Sequence, residues 1–149
     1  MTAILMSVVL LGLAVTLCAS SFFARFDSLS REYARVAQGL AESCAQVALL
    51  RVAQDYHYDP TADAQYMAGR GVAVSIDVDE QEVPETCAIV SIAYIPDVVA
   101  HTETATIISR GQYRDSFASV RVVAVVTDPS YATSNTASHM SIVSWQRVQ

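Results

Sequence analysis

The first 24 residues of the chain are uncharged, and Arg25 is the first charged position. The run reads MTAILMSVVLLGLAVTLCASSFFA, with no Pro and with Gly12 as its one glycine. A helix of this length spans about 36 Å, and the hydrocarbon core of a bilayer is about 30 Å thick. The pattern therefore predicts a helix that is apolar on all sides and long enough to cross a membrane.

The helical pattern continues beyond Arg25, but there the apolar residues occupy one side only. They recur at three- and four-residue steps, which is the spacing of an amphipathic helix. This stripe consists of Phe26, Leu29, Tyr33, Val36, Leu40, Cys44, Val47 and Leu50. We predict one helix from near Met1 to about Asp55, which at roughly 80 Å is longer than a globular domain needs. A single-pass anchor followed by a separate helix is the alternative.

A loop that contains Pro60, Gly69 and Gly71 ends the helical pattern, and the periodicity then changes to two. Five strand-like segments follow at roughly ten-residue spacing, as in antiparallel sheets: GVAVSIDV, CAIVSIAYI, TETATIIS, FASVRVVAVV and SIVSWQRV. Turn signals are expected to end the middle three at Pro96, at Arg110-Gly111 and at Asp128-Pro129. The predicted fold class is α+β, with a long N-terminal α-helix packed on a four- to five-stranded antiparallel sheet.

These patterns divide the chain into two regions. Residues 1–24 form the apolar N-terminal helix. Residues 25–149 form a globular domain, in which the amphipathic helix 25–55 precedes the sheet 71–149. A chain of 149 residues normally makes one such domain.

The opening run differs from a cleavable signal peptide, which has a basic amino-terminal region and a shorter apolar core. It also lacks the basic residues that normally precede a membrane helix and keep its start in the cytoplasm. We therefore expect the chain to be a processed form from which a basic leader has been removed.

The opening residues MTAILM resemble the start of a mature type IV pilin or pseudopilin. In that family an aromatic residue or Met is followed by Thr, an aliphatic pair, Glu and Leu. The residues that fit this frame are Met1, Thr2, Ala3, Ile4 and Met6. Leu5 departs from it, because most members carry Glu there. The order of elements is also similar to the family over the whole chain: an uncharged half-helix, an amphipathic half-helix, a loop and an antiparallel sheet.

The resemblance implies a structural subunit of an extracellular, pilus-like helical filament, either a major or a minor pilin. Such a subunit is cut by a prepilin peptidase, methylated on the new amine of Met1, and held in the cytoplasmic membrane as a single-pass protein. A pilus assembly machinery then extracts it into a homo-oligomer, with the helices in the core and the sheets outside. Membrane and filament core are both poor in water, so one apolar sequence serves both.

The residues expected in the assembly core are Thr2, Leu5, Gly12, Ala14 and Ala19. The last three are small enough to let neighbouring helices approach closely, although ordinary span composition explains them as well. Because Leu5 is not a carboxylate, the amine of Met1 has no acidic partner in its own first turn. We expect that amine to be neutral, or to donate to a hydroxyl such as that of Thr2 or Ser7, or to a backbone carbonyl. A place only at the filament tip is the rival explanation.

The composition argues against several other functions. Nucleic-acid binding is not expected, because phosphate contacts need clustered Lys and Arg, whereas this chain has no Lys and a net charge of −6. No enzyme activity, cofactor or metal is expected, because the three His lack Cys or carboxylates at ligand spacing. The acidic segment DVDEQEVPE (residues 77–85) lacks the glycine and the spacing of a calcium loop, so we interpret it as a solvated hairpin.

A disulfide is expected between Cys44 and Cys87. Cys44 lies on the apolar stripe and faces the sheet, and Cys87 begins a strand that the order of elements places near the helix. Disulfides persist outside the cytoplasm. Two buried free thiols are the alternative. Cys18, in the apolar run, is expected to stay reduced.

One function of a different class remains open from the sequence. The chain could be a single-pass, membrane-anchored domain that binds or adheres to something outside the cell. The Ser/Thr-rich segment DPSYATSNTASHMS would suit adhesion as a surface loop, and a plain flexible loop is the simpler interpretation.

Overall fold

The computed structural model describes residues 2–68, 70–75, 85–127 and 140–148 of the chain. Within these ranges the side chains of residues 2–5, 8, 75 and 85 are not described. The elements are α1 (Thr2–Gln54), a short 3₁₀ helix (Pro60–Ala62), β1 (Tyr66–Met67), β2 (Gly71–Ser75), β3 (Glu85–Asp97), β4 (Thr102–Tyr113), β5 (Ser116–Thr127) and β6 (Met140–Val148). The predicted α+β class is confirmed.

The helix α1 has 53 residues and is about 80 Å long, as the periodicity predicts. It passes Gly12 without interruption, and the Thr16 hydroxyl donates to the carbonyls of Gly12 at 3.1 Å and Leu13 at 2.9 Å. The alternative prediction, a membrane anchor followed by a separate helix, is therefore wrong, because α1 is one continuous helix. Because α1 also passes residue 24 unbroken, the division into regions 1–24 and 25–149 stays a prediction.

The strands form one antiparallel meander in the order β1-β2-β3-β4-β5-β6. The described residues form six strands, slightly more than the four to five predicted, and the strand that the prediction lacks is β1. Tyr66 and Met67 lie in the predicted loop, where they pair with Val72 and Gly71. Two residues are too short for a period-two pattern, so the local sequence does not mark them. Gly71 has a φ of 80°, which a residue with a side chain rarely adopts in this turn.

Two strand ends that the turn-forming residues Pro96 and Arg110-Gly111 predict are also wrong. β3 runs through Pro96 to Asp97, and β4 runs through Arg110 and Gly111 to Tyr113. The pairing of β3 with β2 extends only to Ile89, opposite Val72 near the start of β2. Pro96 therefore lies where β3 pairs with β4 on one side only, so a missing backbone donor is tolerated. The predicted end at Asp128-Pro129 lies outside the described residues, and β5 is described as far as Thr127.

The core lies between the C-terminal half of α1 and one face of β3, β4 and β5. Small side chains on the helix allow it to lie close to the sheet, where they meet larger aliphatic residues. The buried helix positions include Ala41, Ala45, Ala48 and Val52, and those of the sheet include Ile89, Ile107, Val120 and Val122.

Helix and sheet approach each other closely at Gly111. A Cβ atom on this residue would collide with the Ala37 carbonyl oxygen and would lie 2.5 Å from the Ala41 nitrogen. On the same row of β4, the buried Ser109 hydroxyl donates to the Ala41 carbonyl at 2.7 Å. There is therefore no room for a side chain beneath α1, which explains why a glycine occupies this position within the strand.

Candidate assembly surface on the N-terminal helix

The N-terminal half of α1 projects beyond the sheet and is not covered by the rest of the described chain. Every described side chain from Met6 to Glu32 is exposed, and burial begins at Ala37. Large apolar residues dominate this exposed set, which includes Leu10, Leu11, Leu13, Leu17, Phe22 and Phe23. Contiguous apolar surface of this extent marks a site for a membrane or for other protein chains.

The length of the projecting part exceeds what a membrane alone requires. The helix contains a stretch, within Val9–Gln54, that is long and apolar enough to cross a membrane, and none of it is buried. Residues 2–32 extend for about 46 Å, whereas the hydrocarbon core is about 30 Å thick. More than ten ångströms of the projecting part of the helix would therefore lie outside the hydrocarbon core of a bilayer.

Apolar side chains continue along the helix after the first charges. Phe26 is 67% exposed and Leu29 is 47% exposed, and their three-residue spacing places them on one side. Asp27 and Arg31 lie on another side, where Oδ2 and Nη2 are 2.8 Å apart. Such an exposed ion pair contributes little stability, so its main consequence is to leave the apolar side uninterrupted.

The residues predicted for the assembly core lie along this projecting helix. Gly12, Ala14 and Ala19 are exposed, and a Cβ at Gly12 would have no neighbour within 4 Å. Met1 lies outside the described residues, as do the side chains of Thr2 and Leu5. The roles of all six in assembly and processing stay predictions.

A cluster of three side chains holds the β4–β5 hairpin against α1 where the helix leaves the sheet. Arg114 Nη1 donates to the Tyr33 hydroxyl at 2.9 Å, and its guanidinium carbon lies 4.9 Å from the centroid of the Tyr33 ring. The rings of Tyr33 and Tyr113 meet edge to face with centroids 5.5 Å apart. This cluster is not predicted from the sequence, in which only the position of Tyr33 on the apolar stripe indicates a contact.

The predicted disulfide joins the helix to the sheet behind that cluster. Cys44 and Cys87 are bonded, with their Cα atoms 5.9 Å apart, and both are fully or almost fully buried. Leu40, Val36 and Val74 pack around the bond. Cys18 is a free thiol on the exposed part of α1.

A second polar cluster lies at the opposite end of the sheet contact and fastens the loop after α1. Arg51 Nη1 donates to the Tyr58 hydroxyl at 2.5 Å and to Asp63 Oδ2 at 2.8 Å. The Gln65 N–H, which donates to Asp63 Oδ1, is the main cause that holds the pKa of Asp63 below its ordinary value, with Tyr58 and Arg51 adding to it. Burial raises the pKa of Tyr58.

The same loop is also tied to β3 and β4. The Tyr94 hydroxyl donates to the Tyr58 carbonyl at 2.9 Å, and burial raises the pKa of Tyr94 to about 12. His57 Nε2 lies 3.2 Å from Glu103 Oε1. Within the described ranges, no three His, Cys, Asp or Glu side chains are grouped so that they could hold a metal ion. These contacts fasten the loop, and the expected lack of enzyme activity stays a prediction.

The acidic segment and the Ser/Thr-rich segment lie largely outside the described residues. Comparisons of the chain with protein-family models, curated proteins and solved structures find no match. The long N-terminal apolar helix, its packing on an antiparallel sheet and the disulfide are compatible with a pilin-like architecture.

Proposed function

We propose that this chain is a structural subunit of an extracellular, type IV pilus-like filament, as a major or a minor pilin. The observation that carries the proposal is the uncovered apolar half of α1, which is longer than a bilayer core and stays apolar beyond the first charged residues. In a filament, neighbouring copies of the same helix cover this surface.

The positions of Phe26 and Leu29 on α1 favour a filament over an anchored monomer. When residues up to about position 24 fill a hydrocarbon core of about 30 Å, these two side chains lie outside it. For an anchored monomer they would remain in contact with water and lipid headgroups, at the cost of unburied apolar area. In a bundle of staggered helices, both face the helices of other subunits and are buried.

The partners follow from the same proposal. Before assembly the subunit is a single-pass protein of the cytoplasmic membrane, processed by a prepilin peptidase and methylated at Met1. A pilus assembly machinery transfers it to the filament, where Thr2, Leu5, Gly12, Ala14 and Ala19 lie in the helical core. Leu5 leaves the amine of Met1 without the carboxylate that most pilins supply.

The test uses two variants of the full-length chain, each expressed in the cells that naturally produce this protein. Phe26→Asn with Leu29→Asn makes the apolar side polar outside the membrane span. The matched control is Ser28→Asn, which lies two residues from Phe26 and therefore on roughly the opposite side of the helix. Sheared surface material is examined by electron microscopy, and membrane fractions are probed for the chain.

The double variant is expected to reach the membrane in wild-type amount and to lose at least about tenfold in filament yield, because the buried contacts become polar. The control is expected to assemble normally. A double variant that assembles like the wild type would contradict the argument from Phe26 and Leu29. A wild-type chain that stays in the membrane and forms no filaments would instead favour the anchored binding or adhesion domain.

A further inference from the structure

A trough of about 860 Å³ lies on the face of the sheet that α1 leaves uncovered. One face of β4 is turned toward the helix and includes Ile107, Ser109 and Gly111. The alternate residues Ile108 and Arg110 therefore lie on the opposite face of the sheet. The trough extends from the β1–β2 turn across β3 and β4 to β5 and the end of β6. Its lining includes Met67, Arg70, Val90, Arg110, Phe117 and Val148.

The chemistry of the trough is basic and apolar together. Arg70 and Arg110 are both exposed, and the guanidinium carbon of Arg110 lies 4.6 Å from the centroid of the Phe117 ring. Neither guanidinium forms an ion pair with the described residues, and no described lining residue is a carboxylate. Positive charge over an apolar floor is unexpected on a chain whose net charge is −6.

The chain itself contains a segment whose charge and apolar residues match those of the trough. The segment 77–85 carries five carboxylates, and Val78, Val83 and Pro84 are placed among them. Carboxylates pair well with guanidinium groups, and the apolar residues match the floor formed by Val90 and Phe117. Nucleic acid is a poorer match, because its phosphates need clustered Lys and Arg, whereas this chain has no Lys and a net charge of −6.

We propose that the trough binds the acidic segment 77–85 of a second copy of this chain. The proposal deepens the proposed function and rests on it, because it assigns a contact between the sheets of neighbouring subunits. Donor segment and acceptor trough are different surfaces, so the contact is heterologous. Heterologous contacts that do not close into a ring generate helical filaments.

Charge reversal provides the first part of the test, in full-length chains and with filament yield as the readout. Arg110→Glu places a carboxylate against the acidic segment, and the yield is expected to fall at least about tenfold. The matched control is Arg121→Glu, the same change on the same face, since Arg121 pairs with Ile108 but does not line the trough. That control is expected to stay within about twofold of the wild type.

Rescue and cross-linking provide the second part. Arg110→Glu combined with Glu80→Arg and Glu82→Arg is expected to restore assembly. In a Cys18→Ser background, Phe117→Cys with Glu80→Cys is expected to yield disulfide-linked multimers on a non-reducing gel, from filaments and from the full chain concentrated in detergent. A cross-linked monomer would place the segment in its own trough and overturn the proposal, as would equal losses for Arg110→Glu and Arg121→Glu or a failed rescue.

The two proposals fail separately in this design. Filaments that form without the intermolecular cross-link would overturn the docking of segment 77–85 and leave the filament intact. Intermolecular cross-links in detergent from a chain that never forms filaments would support the docking and overturn the filament.

Discussion

Replacing Gly111 by Ala is expected to destabilise the fold strongly, although the change adds a single methyl group. The new Cβ would collide with the Ala37 carbonyl oxygen, and it would lie 2.5 Å from the Ala41 nitrogen and 3.0 Å from Leu40 Cβ. Ordinary contacts begin near 3.4 Å, so helix and strand have to separate by about 1 Å.

The magnitude follows from what that separation breaks. The Ser109 hydroxyl donates to the Ala41 carbonyl at 2.7 Å, and a displacement of about 1 Å takes this bond beyond hydrogen-bonding distance. Overpacking of a core costs about 1–3 kcal/mol, and the loss of a buried hydrogen bond costs about 1 kcal/mol. The disulfide from Cys44 to Cys87, the neighbour of Gly111 on β3, limits how freely the helix can move away. We therefore expect a loss of about 2–4 kcal/mol.

The assay is urea denaturation of the full-length chain in mild detergent, followed by the fluorescence of its single Trp, Trp145. Gly39→Ala is the matched control, because a Cβ at Gly39 would have no neighbour within 4 Å. In a helix interior that substitution is expected to stabilise by about 1 kcal/mol. A Gly111→Ala variant within about 0.5 kcal/mol of the wild type would refute the close-contact argument, because that is the range of neutral surface changes.

Three further predictions concern the disulfide, the loop cluster and the amine. Reducing the Cys44–Cys87 bond, which closes a loop of 43 residues, is expected to lower the free energy of unfolding by up to about 4 kcal/mol, and non-reducing peptide mapping should recover the linked peptide. The pKa of Asp63 is lower in the folded chain than in the unfolded one, so its contribution is present above about pH 4 and lost below it. Asp63→Asn should therefore be less stable than the wild type at pH 7, and the melting temperatures of the two should converge toward pH 2. The chain has no Lys, so amine labelling and intact mass are expected to report one amine, at Met1, carrying one methyl group; an unmodified amine would contradict pilin processing.

Features that depend on short-range periodicity could be predicted from the sequence. The helix was predicted from near Met1 to about Asp55 and is observed over Thr2–Gln54, because the three- and four-residue recurrence of apolar positions extends without Pro. The same periodicity placed Cys44 on the side of the helix that faces the sheet, so its pairing with Cys87 could be inferred. The alternation with a period of two residues predicts five of the six strands that the described part of the chain forms.

Only the tertiary structure determined the features that join residues far apart in the chain. Gly111 predicts a strand end from the sequence, yet it lies within β4. A glycine is needed there because α1 passes directly over this position and leaves no room for a side chain. Pro96 is tolerated because the pairing of β3 with β2 stops at Ile89, and β1 is identified only by its pairing with β2 beside Gly71, whose φ is 80°. The contact between Tyr33 and Arg114 requires the β4–β5 hairpin to pack on α1, and the trough beside Arg110 requires the strands to be joined in one sheet. Local pattern specifies which side of an element is apolar, whereas packing between elements determines how closely they approach and which polar side chains then meet.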